Sequence, residues 1–500
     1  MYDVAIIGSG IGGLLCAAFL AKEGMQVCVI EKNKQLGGNL QTFSRNKQLF
    51  DTGVHYIGGL DKGQNLYQIF KYAGIMDALP LQKMNAAFDK ILIEDDPQVY
   101  SQCQGWTEFK NVLAKDFPLE MQAIENYYLK VKEACSKFPL YHLKMDGDEM
   151  AKFAVTAESA KQVIEGLTTN KKLQAVLVGN NLLYAAVADK TPFHIHALIV
   201  NSYIESSWKC INGGASIVKL LTKELRKYKA TIIKNTAVNK ITEAAGNITA
   251  IELEDGSFIS SHNYISAISP AATLKMLDSG LIKNTYRKRI KNLPNTCASF
   301  SLYIVVKEKT IPYENSNYYF HKNGKLWSLG AYDYKEWPLG YGLYFTEDKK
   351  NKGFVATISV LTLMQFNDVG RWADTFHTTR FEGSRGADYE AFKVNRSEKL
   401  FNLVCERFPH LRNNTKAIYA ATPLTNRDYI GMEDGSVYGI QKDYNHPMQA
   451  IISPRTKIPN LFLTGQNLNL HGILGTSLSA ILTCTMLLKD NTLVDKIRNA

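Results

Sequence analysis

Nowhere in this 500-residue chain do two of its eight cysteines stand two residues apart. Cys16, Cys28, Cys103, Cys135, Cys210, Cys297, Cys405 and Cys484 are scattered, which argues against a zinc site, a redox dithiol and a disulfide framework, and points to a reducing compartment. No apolar run reaches the roughly 18–20 residues needed to span a bilayer. A charged N-terminal segment followed by an apolar stretch and a cleavage site is also missing, so the fold is expected to begin at once with Asp3–Ile7. Proline is sparse, 14 against 35 glycines, which suits tight turns and close backbone approaches better than linkers. With 45% hydrophobic and 21% charged residues, the chain is globular and too long for one compact core. The net charge of +11 reads first as a solubilising surface and second as a match for an anionic membrane. Arg287-Lys288-Arg289 has no stacking motif around it and reads as a solvated helix face, so nucleic acid is not expected as a partner.

What is present begins at the N-terminus. Residues 4–7 form a short β-branched apolar run, as expected of a buried parallel strand. Gly8-Ser9-Gly10-Ile11-Gly12-Gly13 follows, then a helical segment from Leu14 to Lys22 closed by Gly24, then a second strand, Val27–Ile30, ending at Glu31. Gly8 makes the turn, Gly10 lets backbone approach a pyrophosphate, and Gly13 lets the helix pack closely on the strand. Amides at the helix start would face phosphate. Glu31 would accept hydrogen bonds from ribose hydroxyls and disfavour a 2′-phosphate, with Lys32 beside it. The glycine pattern alone suits NAD or FAD. Gly37-Gly38-Asn39, shortly after the acid, tips the choice to FAD, and no second Gly-x-Gly-x-x-Gly offers a separate NAD(P)H domain.

A helix from Gly213-Gly214 with Ile217, Leu220, Leu221 and Leu225 on one face is expected next. Strands at Thr231–Lys234 and Ala237–Ile241 follow, then a hairpin turning at Asp255-Gly256, and a strand at Tyr264–Ile268. This segment re-enters the nucleotide domain, with Val238 placed to meet the adenine. Asn460–Thr464 reads as a strand, Gly465-Gln466 as a close backbone approach, and Gly472-Ile473-Leu474-Gly475 as the entry to an apolar helix over Thr476–Leu488. Such a helix start would stabilise negative charge on a reduced flavin. The expected architecture is α/β: a discontinuous, Rossmann-type, glutathione-reductase-like FAD-binding domain (1–70, 206–295 and 416–500) with an inserted α+β substrate domain (71–205 and 296–415). Residues 71–205 look mainly helical. The dense aromatics from Tyr318 to Phe345 suit a core, an apolar pocket or a membrane contact.

These residues resemble the retinol saturase branch of the phytoene desaturase and carotenoid isomerase flavoproteins. The likeness rests on Gly8–Gly13, Gly37-Gly38, Phe50-Asp51-Thr52-Gly53-Val54-His55-Tyr56-Ile57-Gly58, Gly213-Gly214-Ala215-Ser216, Thr422-Pro423-Leu424-Thr425-Asn426 and Pro459–Gln466. It implies noncovalent FAD, a long apolar polyene as substrate, and saturation of a double bond, with desaturation or isomerisation in relatives. Work at a membrane is implied too. The missing targeting segment of the animal enzymes points to a cytoplasmic protein, peripheral on the inner face. Two departures stand out: Asn39 replaces an arginine common among desaturases, and Arg427-Asp428 brings charge where retinol saturases carry less. His55 is the first candidate for proton transfer, because imidazole titrates near neutrality, and Tyr429 and His471 are candidates for the same space. An amine oxidase on the same fold is the remaining enzymatic alternative, and a polyene-binding flavoprotein the non-redox one. The electron donor or acceptor is left open.

Overall fold

The computed structural model describes residues 1–500 apart from the Glu149 side chain. Its first layer is a five-stranded parallel sheet in the order Thr231–Ile233, Val27–Ile30, Tyr2–Ile7, Ser261–Ser266, Leu461–Leu463. Register aligns Ile7 with Ile30 and with Ser266, and Ser266 with Leu463. Ile233 pairs with Ile30 as well, so all five carboxyl ends finish at one edge, where a doubly wound sheet holds its ligand. The helix Ile11–Lys22 is buried at every residue except Lys22. A helix apolar on all sides needs cover on all sides, and here the sheet, the helix Ala215–Lys227 and the C-terminal helix Gly472–Leu488 supply it. Ala215–Lys227 buries Ile217, Val218, Leu221 and Leu225 on one face and ends in Arg226 and Lys227, cations suited to a carboxyl end.

Antiparallel strands Val238–Ala244, Asn247–Leu253 and Phe258–Ile259 form a separate meander. Its second turn is made at Gly256 (φ +82°), with Asp255 accepting from the Ser257 amide and hydroxyl. The C-terminal helix begins at Gly472, four residues before the expected start. Gly475 lies inside it because a Cβ there would stand 2.5 Å from the Leu470 backbone; this glycine serves a close chain crossing rather than a helix entry.

The second layer is a seven-stranded sheet ordered Thr415–Ala421, Ala298–Val306, Val355–Met364, Gly340–Glu347, Asn317–His321, Ala87–Ile93, Val99–Cys103. All its pairs are antiparallel except Asn317–His321 with Ala87–Ile93. Two expectations change here. Residues 71–205 contribute strands as well as helices, because the short apolar run Ile91-Leu92-Ile93 packs within a sheet. Thr415–Ala421 pairs with Ala298–Val306, so residues 416–421, expected in the nucleotide domain, belong to the second sheet. The aromatic stretch is mostly core, with Tyr319, Tyr341 and Trp337 fully buried. Arg287, expected in solvent, donates to the carbonyls of Leu274, Ile282 and Ser279. Among the described residues no helix is long and apolar enough to cross a membrane.

Burial makes this core sensitive to acid. It pushes His55, His194 and His196 down to about 3, and His321 and His471 to about 4. These side chains stay neutral in the fold while the unfolded chain takes up protons, so stability falls as pH drops from the ordinary histidine range towards 4. Asp51 and Asp89, pushed up by burial to about 7 and about 6, act oppositely and lose stability as pH rises from the ordinary carboxylate range. Five groups outweigh two. The melting temperature should drop by at least about 5 °C between pH 7.5 and pH 5, readable by differential scanning calorimetry; an equal or higher value at pH 5 would contradict this balance.

Candidate active site

The aligned strand ends open into a cavity of about 450 Å³. Gly8, Glu31, Ala267 and Gly465, which follow four of the strands closely, form its floor. Gly8 (φ +96°) turns the chain from the first strand into the first helix. Gly10 faces open space, so that no atom lies within 4 Å of where its Cβ would be, and the helix start there is uncapped by any side chain. The C-terminal helix likewise starts at His471 without a side-chain cap, and Ile473 and Leu474 line the same cavity. Two helix N-termini thus offer amides and partial positive charge to an anionic ligand.

Ser9 ties the floor together. Its hydroxyl donates to Glu31 Oε2 at 2.6 Å and accepts from the Gly37 amide at 3.2 Å, while its own amide donates to the same carboxylate at 3.0 Å. Glu31 Oε1 accepts from the Asn33 amide at 2.8 Å. The acid therefore fixes the glycine turn as well as facing the cavity. Lys32, Gly37, Gly38, Asn39, Gly53, Val238 and Gln466 line the cavity together with Ser9, Ile11 and Gly12. Gly13 does not. It lies behind the wall, where a Cβ would stand 2.1 Å from the Gly8 carbonyl oxygen, and its contribution is the contact between helix and strand.

His55, Tyr429 and His471 all line the cavity, each held by different partners. The His55 ring stacks on Tyr344, centroids 4.1 Å apart and planes 10° apart. Burial first, and then the Lys209 ammonium, push its imidazole down to about 3. That removes the near-neutral titration expected of it. His471 donates from Nε2 to the Leu183 carbonyl at 3.0 Å and packs on Tyr438, and burial holds it neutral as well. Tyr429 is fixed elsewhere: its hydroxyl accepts from the Thr379 amide at 2.9 Å and its carbonyl from Asn33 at 3.0 Å, placing it by the segment that follows Glu31.

Several residues of the site had no role of their own assigned from the sequence. Asp51 accepts from the Gly214 amide at 2.7 Å, joining the Asp51–Gly58 segment to the start of the helix Ala215–Lys227. Gly213 (φ +75°) is required there, since a Cβ would lie 2.6 Å from Asp51 Oδ1. Tyr56, Tyr203 and Tyr344 face the cavity from three separate parts of the chain, and behind them sits Asp89, fully buried. An acid inside the apolar stretch Ala87–Ile93 was the one available signal for it. Arg427-Asp428 proves to be a clasp: Asp428, fully buried, binds Arg385 and Arg427 and accepts from the His377 amide at 2.8 Å, while its carbonyl accepts from Lys32. This charge holds the 373–385 segment against the nucleotide end.

A parallel sheet, a glycine turn, an acid on the cavity floor and a second set of elements closing the cavity together define an oxidoreductase of the Rossmann-type class. Residues 6–73 match the NAD(P)-binding Rossmann-like domain family. Over 99% of its length the chain is 27% identical to all-trans-retinol 13,14-reductase of Homo sapiens, covering 86% of that protein. It is 22% identical to the chloroplastic prolycopene isomerase of Daucus carota, over 88% of this chain and 72% of that one. Among solved structures, an oxidoreductase from Methanosarcina mazei superposes with a TM-score of 0.63 at 14% identity, covering 96% of this chain and 99% of the other.

Proposed function

We propose that this protein is an FAD-dependent oxidoreductase that saturates one carbon–carbon double bond of a long apolar polyene of the retinoid or carotenoid kind. The observation that carries this reading is the continuity of one cavity from the glycine turn and Glu31 to a chamber walled by Leu198, Ile199, Tyr203, Tyr344 and Leu361. The floor suits FAD: Gly10 leaves room for a pyrophosphate against the first helix, Glu31 is placed for ribose hydroxyls, and Val238 for the adenine. Gly465, Gln466 and the start of the C-terminal helix are placed for the flavin. When bound, the flavin supplies the hydride. The chain supplies an apolar channel, exclusion of water and rings that stay uncharged, so that a hydrocarbon is not asked to displace an imidazolium. The similarity to retinol reductases supports the substrate class. A water-insoluble substrate calls for a bilayer or carrier as its source, and a net charge of +11 suits an anionic inner leaflet.

The test is anaerobic. Dithionite-reduced protein is mixed with retinol or a carotenoid, and flavin and polyene absorption are followed together. Loss of the polyene band with stoichiometric flavin reoxidation is expected. A shifted polyene band with the flavin still reduced would replace saturation by isomerisation. Peroxide release on amines with untouched polyenes would replace it by amine oxidation.

A further inference from the structure

We propose that Asp89, Tyr56, Tyr319 and Tyr344 form a buried proton wire whose cavity end, the Tyr344 hydroxyl, protonates the polyene carbon that does not receive the hydride. This rests on the function proposed above and assigns the proton which that reaction needs to a group other than His55, whose imidazole burial holds neutral.

The wire is continuous. Tyr344 donates to the Tyr319 hydroxyl at 3.2 Å, the Tyr319 and Tyr56 hydroxyls lie 2.8 Å apart, and Tyr56 donates to Asp89 Oδ2 at 2.8 Å. Tyr344 and Tyr56 line the cavity, whereas Tyr319 and Asp89 lie behind it with no exposure. Asp89 is held on both oxygens, by Asn317 at 3.0 Å and by Asn180 at 3.3 Å. Gly342 makes room for the end of the wire, because a Cβ there would stand 2.5 Å from the Tyr344 hydroxyl. The flat stack of His55 fixes the Tyr344 ring.

A file of hydroxyls has two orientations. With Asp89 ionised, each hydroxyl can point inward to the carboxylate. With Asp89 protonated, each can turn outward, and the last faces the cavity. Burial raises Asp89 to about 6, against the lowering effect of Asn317, Tyr56, Asn180 and Lys209, so both states are accessible near neutrality. The groups facing Asp89 are Tyr56, Tyr203, Tyr319, Tyr344, Asn180 and Asn317. Lys209, itself lowered by burial to about 7, is the cation among its neighbours.

The step balances. Bound flavin would supply the hydride to one carbon, and the π-bond electron pair left on the other carbon would take the Tyr344 proton. Tyr344 recovers a proton from Tyr319, Tyr319 from Tyr56, and Tyr56 from the Asp89 carboxylic acid. The carboxylate is recharged through the same wire by one proton from solvent, carried as hydronium into the emptied cavity and leaving water behind.

The test uses the holoenzyme and the shape-conserving variants Tyr344→Phe, Tyr319→Phe and Asp89→Asn. The infrared spectrum of the oxidised wild type minus that of Asp89→Asn should show one C=O stretch of a buried carboxylic acid that titrates near pH 6, the raised Asp51 carboxyl being common to both. In anaerobic single turnover with retinol, each variant should reoxidise its flavin at least about 100-fold more slowly, the scale of general acid catalysis. Wild-type rates should fall above pH 6, and Asp89→Asn should lose that dependence, which mere distortion of the site would not cause. Variants within threefold of wild type would overturn the wire. A wild type whose reduced flavin is left unchanged by every polyene tested overturns the proposed function, and the wire then stands or falls on the difference band: if no carboxyl band at pH 5 is lost in Asp89→Asn, it is wrong.

Discussion

Gly13→Ala is expected to purify without bound cofactor and with reduced stability. The added Cβ would lie 2.1 Å from the Gly8 carbonyl oxygen and 3.1 Å from Ala267 Cβ. Neither neighbour has a flexible end that can swing aside, because one is backbone in the glycine turn and the other opens from the adjacent strand. The first helix must therefore lift from the sheet, carrying Gly10 and Gly12 away from the cavity floor. Overpacking a core by one methyl group typically costs about 1–3 kcal/mol, and contact with rigid backbone places this substitution at the upper end or above it. Flavin absorbance per mole of protein, together with a urea unfolding curve, reads both consequences. Full flavin occupancy at an unchanged unfolding midpoint would show that the close approach is not needed.

Replacing Glu31 should cause the second large effect, by a different route. Its carboxylate accepts from the Ser9 amide, the Ser9 hydroxyl and the Asn33 amide within a nearly dry pocket. Glu31→Ala strands the two amides, and an unmet buried donor costs about 1–3 kcal/mol. A loss of roughly 2–4 kcal/mol is expected on that basis, together with at least tenfold weaker FAD binding by the apoprotein. Glu31→Gln keeps one good acceptor oxygen and should fall between. If Glu31→Ala binds FAD as wild type does while losing stability, the acid only braces the turn and does not face the ribose.

The nucleotide floor was readable in the sequence because it is made by consecutive residues. Gly8 to Glu31 spell strand, turn, helix and strand in order, and each step has a local cause in backbone freedom or helix capping. The proton-handling side was not. Tyr56, Tyr319, Tyr344 and Asp89 come from separate elements and meet only through strand register, with Asn317 opposite Asp89 and Gly342 opposite Tyr319. In sequence Tyr319 and Tyr344 are two aromatics among many, Asp89 is one acid beside a lysine, and Tyr56 stands in the Phe50–Gly58 segment with no role of its own. His55 was legible as a residue of the site but not in its charge, because the pull on its imidazole comes from burial and from Lys209, far along the chain. Arg427-Asp428 looked like an alteration of the substrate end and is instead a clasp on a loop, a distinction that depends on Arg385 folding back onto it.

The packing of the first helix against the last has a consequence for how the molecule is made. Cys16 approaches Thr464 and Ala480, and Cys484 approaches the Cys16 carbonyl, so Ile11–Lys22 is covered by a segment some 460 residues downstream. On a ribosome, that apolar helix emerges first and waits for nearly the whole chain before its partner appears. Until then the outer strand Leu461–Leu463 is also missing from the sheet. Contacts of such long sequence separation form slowly and leave sticky surface open meanwhile. Loss of the final few dozen residues would therefore uncover the beginning of the protein, and chaperone demand should track the time taken to translate its end.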